Sequence, residues 1–105
     1  MTSDVHLPIL TDSRPILPQV QGTTRDCLEP WRHIFVHADE TVTLCCWSPP
    51  IGMISEPNVF HSEKAVRLRE GLLTGDLADC CRRCIVRQWT SVEQQQQNVK
   101  SFLEG

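Results

Sequence analysis

The sequence predicts a small α+β domain that contains a β-hairpin followed by one or two short helices and cysteine-rich loops. Three observations lead to this fold class. Two short segments rich in β-branched and aromatic residues flank an acidic turn, an amphipathic stretch has the period of a helix, and the chain carries six cysteines. A chain of 105 residues forms one small core, and a core of this size often needs disulfides or a metal for stability.

Composition divides the chain into three segments. Residues 1–21 carry three prolines among scattered apolar side chains, with neither a helical nor a strand period, which predicts an extended N-terminal arm. Residues 22–90 hold every cysteine and are expected to form the cysteine-ligated domain. Residues 91–105 are expected to form a C-terminal amphipathic helix or tail.

The two strand-like segments are His33–Ala38 and Thr41–Trp47. Asp39 and Glu40 supply a short polar turn between them, so the two segments are expected to pair as an antiparallel hairpin. The next segment, residues 48–58, contains three prolines and one glycine and is therefore expected to be a loop.

A helix is predicted after this loop. Ser62 is a suitable N-cap, and Gly75 is placed to end the helix in a left-handed conformation. Arg69 is expected to be a surface or ion-pairing residue of this helix. The apolar stripe of the helix comprises Ala65, Leu68 and Leu72.

A last helix is predicted from Ser91, because Gln94 completes a capping box with that residue. The run from Gln94 to Gln97 is expected to be solvated surface or part of a flexible tail. No function is assigned to this run on its composition.

Charge and apolar content exclude several classes of protein. The formal net charge of −3, with only one small basic cluster, argues against a nucleic-acid surface. No apolar run approaches the roughly 20 residues that a membrane span needs. The N-terminus lacks the pattern of a secretory signal, which predicts a cytoplasmic location, where clustered cysteines bind metals more often than they form disulfides.

The spacing of the cysteines indicates one metal site. Cys81 and Cys84 form a C-x-x-C pair, which can provide two thiolates to one centre, and Cys27 and the Cys45-Cys46 doublet can provide the others. Adjacent residues of a strand point to opposite faces. Cys46 shares the apolar face of the second strand, so Cys45 is favoured as the ligand and Cys46 is expected to be a buried, small hydrophobic residue.

Cys81 is favoured over its neighbour Cys80 because its spacing to Cys84 suits a shared centre. Four thiolates fit either tetrahedral zinc or an iron–sulfur cluster, so at this point both remain open and the domain is metal-stapled in either case. Inert core cysteines, a disulfide framework and a thiol oxidoreductase are less favoured, the last because a βαβ context is missing. The predicted ligand set is Cys27, Cys45, Cys81 and Cys84.

The order of the motifs along the chain helps to decide between zinc and an iron–sulfur cluster. Cys27 opens a C-x-x-P-W motif, the hairpin leads into the cysteine doublet, the helix carries Leu68-Arg69, and the C-x-x-C pair closes the segment. This order resembles the SPASM domain, the C-terminal auxiliary iron–sulfur domain of many radical-SAM enzymes, in its short single-cluster form. The resemblance covers about residues 27–84, and its motifs are specific in combination, which favours iron–sulfur over zinc.

Three positions depart from the family pattern. Glu40 stands where glycine is usual, Leu44 where proline is frequent, and Met53 where asparagine commonly follows the glycine. These departures affect turn and loop chemistry and leave the thiolates unchanged. The ligands of the family map by position onto the same four cysteines, and the chain lacks the cysteines that a second auxiliary cluster would need.

The resemblance implies an auxiliary 4Fe-4S cluster that helps to position a peptide or other substrate, or that transfers an electron during its modification. The C-x-x-x-C-x-x-C motif of the SAM-cleaving cluster is absent from the 105 residues, so no catalytic residue is assigned and an accessory domain or fragment is expected. The implied partner is a radical-SAM enzyme or its peptide substrate. The alternative is a structural zinc module for protein interaction, with four cysteine ligands. Arg82 and Arg83, next to the ligands, are expected to stabilise the reduced cluster, so replacing both with Ala should lower its potential.

Overall fold

The computed structural model describes residues 14–45 and 47–105. Most of the predicted N-terminal arm and the whole of Cys46 therefore lie outside the described residues. Residues 14–22 form neither helix nor strand, yet they contact the rest of the chain. The backbone N–H of Leu17 donates to the carbonyl of Arg82 at 3.1 Å, and the Gln19 side chain donates to the carbonyl of Gly75 at 2.8 Å.

The predicted α+β class is confirmed in the described part of the chain. The strands are β1 Thr23–Arg25, β2 Phe35–Val36, β3 Thr41–Thr43, β4 Gly52–Met53 and β5 Trp89–Ser91. The α-helices are α1 Glu29–Arg32, α2 Glu63–Thr74, α3 Asp79–Arg82 and α4 Val92–Glu104, and a 3-10 turn spans Val59–His61. No helix of the described residues has both the length and the apolar content to cross a membrane.

The predicted hairpin is present as β2 and β3, which pair antiparallel with Phe35 opposite Thr43. Its turn places Glu40 in the left-handed region at φ 71°, a conformation that glycine adopts at a lower cost. The Asp39 carboxylate accepts hydrogen bonds from the backbone and the side chain of Thr41, at 3.0 and 2.6 Å, and so closes the turn.

A third strand joins this sheet, and the prediction that residues 48–58 form only a loop was wrong to that extent. β4 pairs antiparallel with β3, with Met53 opposite Thr41. The backbone N–H of Ile51 donates to the carbonyl of Val42 at 2.8 Å, so the segment returns along β3 immediately after its prolines. Proline lacks only its own N–H, and a short edge strand can follow it.

The helix α2 begins and ends at the predicted residues. The Ser62 hydroxyl accepts a hydrogen bond from the backbone of Ala65 at 3.3 Å, and Gly75 ends the helix at φ 89°, with its N–H donating to the carbonyl of Gly71. Ala65 and Leu68 of the apolar stripe share one buried core with Val42 of β3. The buried core that results comprises Val42, Leu44, Ile51, Val59, Ala65, Leu68 and Cys80.

The two-stranded ribbon of β1 and β5 was not predicted. It pairs residues far apart in the sequence, with Thr23 opposite Ser91 and Arg25 opposite Trp89. The fully buried Thr24 side chain donates to the carbonyl of Leu72 at 2.8 Å, which fastens the ribbon to α2. The ribbon therefore brings the start and the end of the cysteine-containing segment together.

The last helix, α4, begins as predicted, since the Ser91 hydroxyl accepts a hydrogen bond from the backbone of Gln94 at 3.0 Å. The prediction that the whole glutamine run is solvated was wrong. Gln95 is 0% exposed, whereas Gln94, Gln96 and Gln97 are exposed. The helix packs along α2 and the β1–β5 ribbon, and this packing buries the face that contains Gln95 and Val99.

Candidate iron–sulfur centre

One cavity of about 100 Å³ brings the predicted ligands to a single place. Its wall includes five cysteines, and all four members of the predicted ligand set are among them. The fifth is Cys80, the neighbour of a predicted ligand. The five are Cys27, Cys45, Cys80, Cys81 and Cys84.

Three parts of the fold supply these cysteines. Cys27 lies between β1 and α1, Cys45 lies two residues beyond the end of β3, and Cys81 lies on the one-turn helix α3. The turn after α3 places Cys84 beside Cys81, since the backbone N–H of Cys84 donates to the carbonyl of Cys81 at 3.3 Å. Cys27 and Cys81 therefore lie around the same cavity although more than fifty residues of chain separate them.

The protonation of the thiols depends on burial and on their mutual contact. Burial raises the pKa of Cys27 to about 11. A hydrogen bond with Cys80, together with burial, raises the pKa of Cys81. Both groups are therefore thiols at neutral pH in this structure, and binding of a metal or cluster releases their protons.

Two arginines and one glutamate also line the cavity. The Arg25 side chain is 2% exposed, and its guanidinium lies against the Trp89 ring at 3.6 Å. The Arg87 guanidinium pairs with the Glu29 carboxylate at 2.9 Å. Burial lowers the pKa of Arg25, while charge on Cys84 and Cys81 raises it. Positive charge thus stands in the wall beside the thiols.

Arg82 and Arg83, which were expected to stabilise the reduced cluster, do not line this cavity. Arg82 pairs with Asp79 at 4.0 Å, and its side chain is 43% exposed. The Arg83 guanidinium donates to the backbone carbonyl of Arg14. The arginines in the cavity wall are Arg25, which composition alone did not single out, and Arg87.

A buried amide holds the segment of the first cysteine. The Gln95 side-chain nitrogen donates to the carbonyl of Cys27 at 2.6 Å, and the backbone N–H of Cys27 donates to the Gln95 side-chain oxygen at 3.4 Å. Helical spacing contains a signal for this residue, because Gln95 lies three residues after Val92 and four before Val99, on one face of the helix. The low complexity of the glutamine run concealed that signal.

The Leu68-Arg69 motif has a structural explanation. Leu68 is a core residue, and the prediction that Arg69 is a surface residue was wrong, because Arg69 is buried. Its Nε donates to the carbonyl of Pro30 at 3.0 Å, and its guanidinium lies over the Phe60 ring at 4.2 Å. The motif therefore links α2 to the proline of the C-x-x-P-W segment, just beyond Cys27.

Four cysteines around one cavity provide the thiolates that either a tetrahedral metal ion or an iron–sulfur cluster requires. With Zn–S bonds of about 2.3 Å, the thiolates of a tetrahedral zinc site lie about 3.8 Å apart. In residues 14–45 and 47–105, no three His, Cys, Asp or Glu side chains come close enough to hold one metal ion. A 4Fe-4S cluster binds each of its four thiolates to a different iron, so its ligands surround a larger space than those of a single ion.

This fold and this cysteine-lined cavity define a small cysteine-rich domain with a candidate metal centre, and comparison with known families identifies its class. The family profile described as SPASM, an iron-sulfur cluster-binding domain, matches residues 27–85, more than half of the chain. The chain therefore belongs to the SPASM family of iron–sulfur cluster-binding domains. No curated protein and no solved structure matches it.

The β1–β5 ribbon and the helix α4 lie outside the matched segment. Arg25 and Gln95, which contact the cysteine segments from these elements, are thus features of this chain beyond the region that defines the family match. Arg25 lines the cavity and donates to the carbonyl of Cys81, and Gln95 donates to the carbonyl of Cys27.

Proposed function

We propose that this chain binds one auxiliary 4Fe-4S cluster through Cys27, Cys45, Cys81 and Cys84. The observation that carries this proposal is the single cavity lined by these four cysteines within the segment that matches the family. Four cysteine thiolates are the ligand set of 4Fe-4S clusters. Cys80, whose thiol contacts Cys81, lies in the same wall and is the residue against which the assignment must be tested.

The residues around the cavity would set the environment of the cluster. When bound, a 4Fe-4S cluster supplies one-electron transfer, and its potential depends on charge, hydrogen bonds to sulfur and exposure to solvent. Apolar side chains complete the wall, while Arg25 and Arg87 add positive charge. The apolar residues are Phe35, Trp47, Leu72 and Val86. Leu72 and Arg25 are buried in this wall, whereas Trp47 and Val86 are exposed, and the two arginines would balance the charge of the thiolates.

The cluster would serve a radical-SAM enzyme, by positioning its peptide or other substrate or by transferring an electron during the modification. The family membership supports this role. The C-x-x-x-C-x-x-C motif is absent from these 105 residues, so the SAM-cleaving cluster would come from a separate polypeptide or from another part of a longer chain. Cytoplasmic assembly would suit a cluster of this type.

The test is anaerobic expression and purification, with iron, acid-labile sulfide and zinc quantified per chain. We expect about four iron and four sulfide per chain. The Cys45→Ala, Cys81→Ala double variant should reduce both to traces, whereas Cys46→Ala and Cys80→Ala should retain the cluster. About one zinc and no sulfide would instead identify a structural zinc module for protein interaction, held by four cysteines.

The supporting role needs its own experiment. The loaded chain and the double cysteine variant would each be added to a radical-SAM enzyme and its peptide substrate under reducing conditions. We expect modified peptide to accumulate only with the loaded chain. Equal product with both preparations would contradict the supporting role while leaving cluster binding intact.

A further inference from the structure

We propose that Arg25 is a positioning and charge-balancing residue for the cluster: its buried guanidinium holds the Cys81–Arg87 segment and stabilises the reduced form of the cluster. This inference rests on the proposed function, because it requires a cluster in the cavity. It concerns a residue outside the segment that matches the family.

The first argument is the geometry of the guanidinium. Its Nε donates to the carbonyl of Cys81 at 2.9 Å, its Nη1 to the carbonyl of Arg87 at 3.1 Å, and its Nη2 to the carbonyl of Arg82 at 3.3 Å. One side chain thus holds three carbonyls of the segment that contains Cys81 and Cys84. The planar fork of arginine can make these three bonds at once, which a lysine ammonium cannot do in the same geometry.

The second argument is the charge of Arg25. The side chain is 2% exposed, and among the ion pairs of the described residues none involves it. The nearby carboxylate of Glu29 is already paired with Arg87 at 2.9 Å. A buried cation without an anionic partner is costly, and carbonyl dipoles compensate it only in part. The anion that would complete this arrangement is the thiolate-bound cluster in the cavity that Arg25 lines.

The third argument is how Arg25 is shielded. Trp89 lies opposite Arg25 in the β1–β5 ribbon, and its ring covers the guanidinium. The Cζ atom of Arg25 is 3.6 Å from the centre of the Trp89 ring. Water is kept from this charge, so its interaction with an electron added to the cluster is weakly screened. The exposed Arg82 side chain is screened by solvent, and its effect on the potential should be smaller.

The experiment measures the reduction potential of the loaded 105-residue chain at an electrode, which supplies the single electron that the cluster accepts. Three replacements of Arg25 separate charge from shape. Arg25→Lys keeps the charge, and Arg25→Met removes both the charge and the hydrogen bonds. A chain with citrulline at position 25, ligated from a 1–26 peptide and a fragment beginning at Cys27, removes the charge and keeps two of the three donors. Arg82→Met is the exposed control.

We expect the Met and citrulline chains to have a lower potential than the wild type, the Lys chain to remain close to it, and Arg82→Met to shift less than Arg25→Met. Iron and sulfide are quantified for each chain. Neutral variants that fail to load, beside a Lys variant that does load, would also support the requirement for charge.

Two results would overturn the inference. One is an unchanged potential in the loaded Met or citrulline chain. The other is loss of loading in all three Arg25 chains, which would indicate a structural role without charge balancing. A wild-type chain that binds no iron or sulfide would contradict the proposed function itself, so the two failures are distinguishable.

Discussion

Gln95 offers a direct test of whether the C-terminal helix supports the first cysteine. Gln95→Leu keeps the approximate size of a side chain that is 0% exposed and removes both of its bonds to the Cys27 backbone. The bond at 2.6 Å is the stronger of the two, and the carbonyl of Cys27 would lose its partner in a largely buried place. Leaving such a group unpaired costs about 1–3 kcal/mol.

We take about 2 kcal/mol as the expected cost of Gln95→Leu, which corresponds to about a 30-fold change in an equilibrium constant. If the cluster is lost through local opening of the Cys27 segment, this factor applies to the opening equilibrium. The visible absorbance of the loaded protein should therefore bleach about 30-fold faster in the variant, when an iron chelator is present in excess.

Gln97→Leu is the matched control, because Gln97 is exposed on the same helix and its side chain donates to the hydroxyl of Ser101 at 3.1 Å. Its bleaching rate should equal that of the wild type. Equal rates for Gln95→Leu and Gln97→Leu would refute the reasoning, since the buried amide would then have no part in holding Cys27. A chemical denaturation curve for each protein would show whether the effect is local or global.

Two further predictions concern the turns that frame the site. Gly75→Ala should destabilise the fold by at least about 1 kcal/mol, because its φ is 89° and an added Cβ would lie 2.8 Å from the carbonyl oxygen of Thr23. Gly22 has a similar φ of 86°, but nothing lies within 4 Å of a Cβ added there. Gly22→Ala should therefore lower the free energy of unfolding by less than Gly75→Ala in chemical denaturation, and an equal decrease would refute the role of the Thr23 contact. The hydrogen bonds from Thr41 lower the pKa of Asp39. The ionised carboxylate therefore stabilises the turn at pH values above the unfolded pKa of about 3.9, and this stabilisation is lost as the pH falls through the lower pKa of the folded state. Thr41→Val should raise the pKa of Asp39 in an NMR titration, and an unchanged value would argue against this hydrogen bond.

The elements predicted correctly are those whose signals are local. Ser62 and Gly75 bound α2 because a hydroxyl cap and a left-handed glycine act within a few residues of the helix ends. The acidic turn between β2 and β3 is local in the same sense. In each case the residues that determine the structure are neighbours in the chain, and their spacing is visible in the sequence.

The elements that were missed depend on contacts between distant residues. The β1 strand has three residues and no apolar alternation, and it forms because β5 pairs with it from more than sixty residues away. Arg69 and Gln95 look like surface residues by type. Both are buried because each finds a backbone carbonyl in the segment that follows β1, at Pro30 and Cys27 respectively.

The sequence by itself determined the class of the domain, its principal helix and the set of cysteines worth considering, because motif spacing and capping are properties of short stretches of chain. Only the tertiary structure decided which charges stand beside the thiols and which side chains hold the cysteine segments. The physical reason is that these roles depend on which side chains become buried. Arg25 and Gln95 are buried and contact the cysteine segments through hydrogen bonds across the fold, whereas the Arg82 side chain is exposed and does not line the cavity.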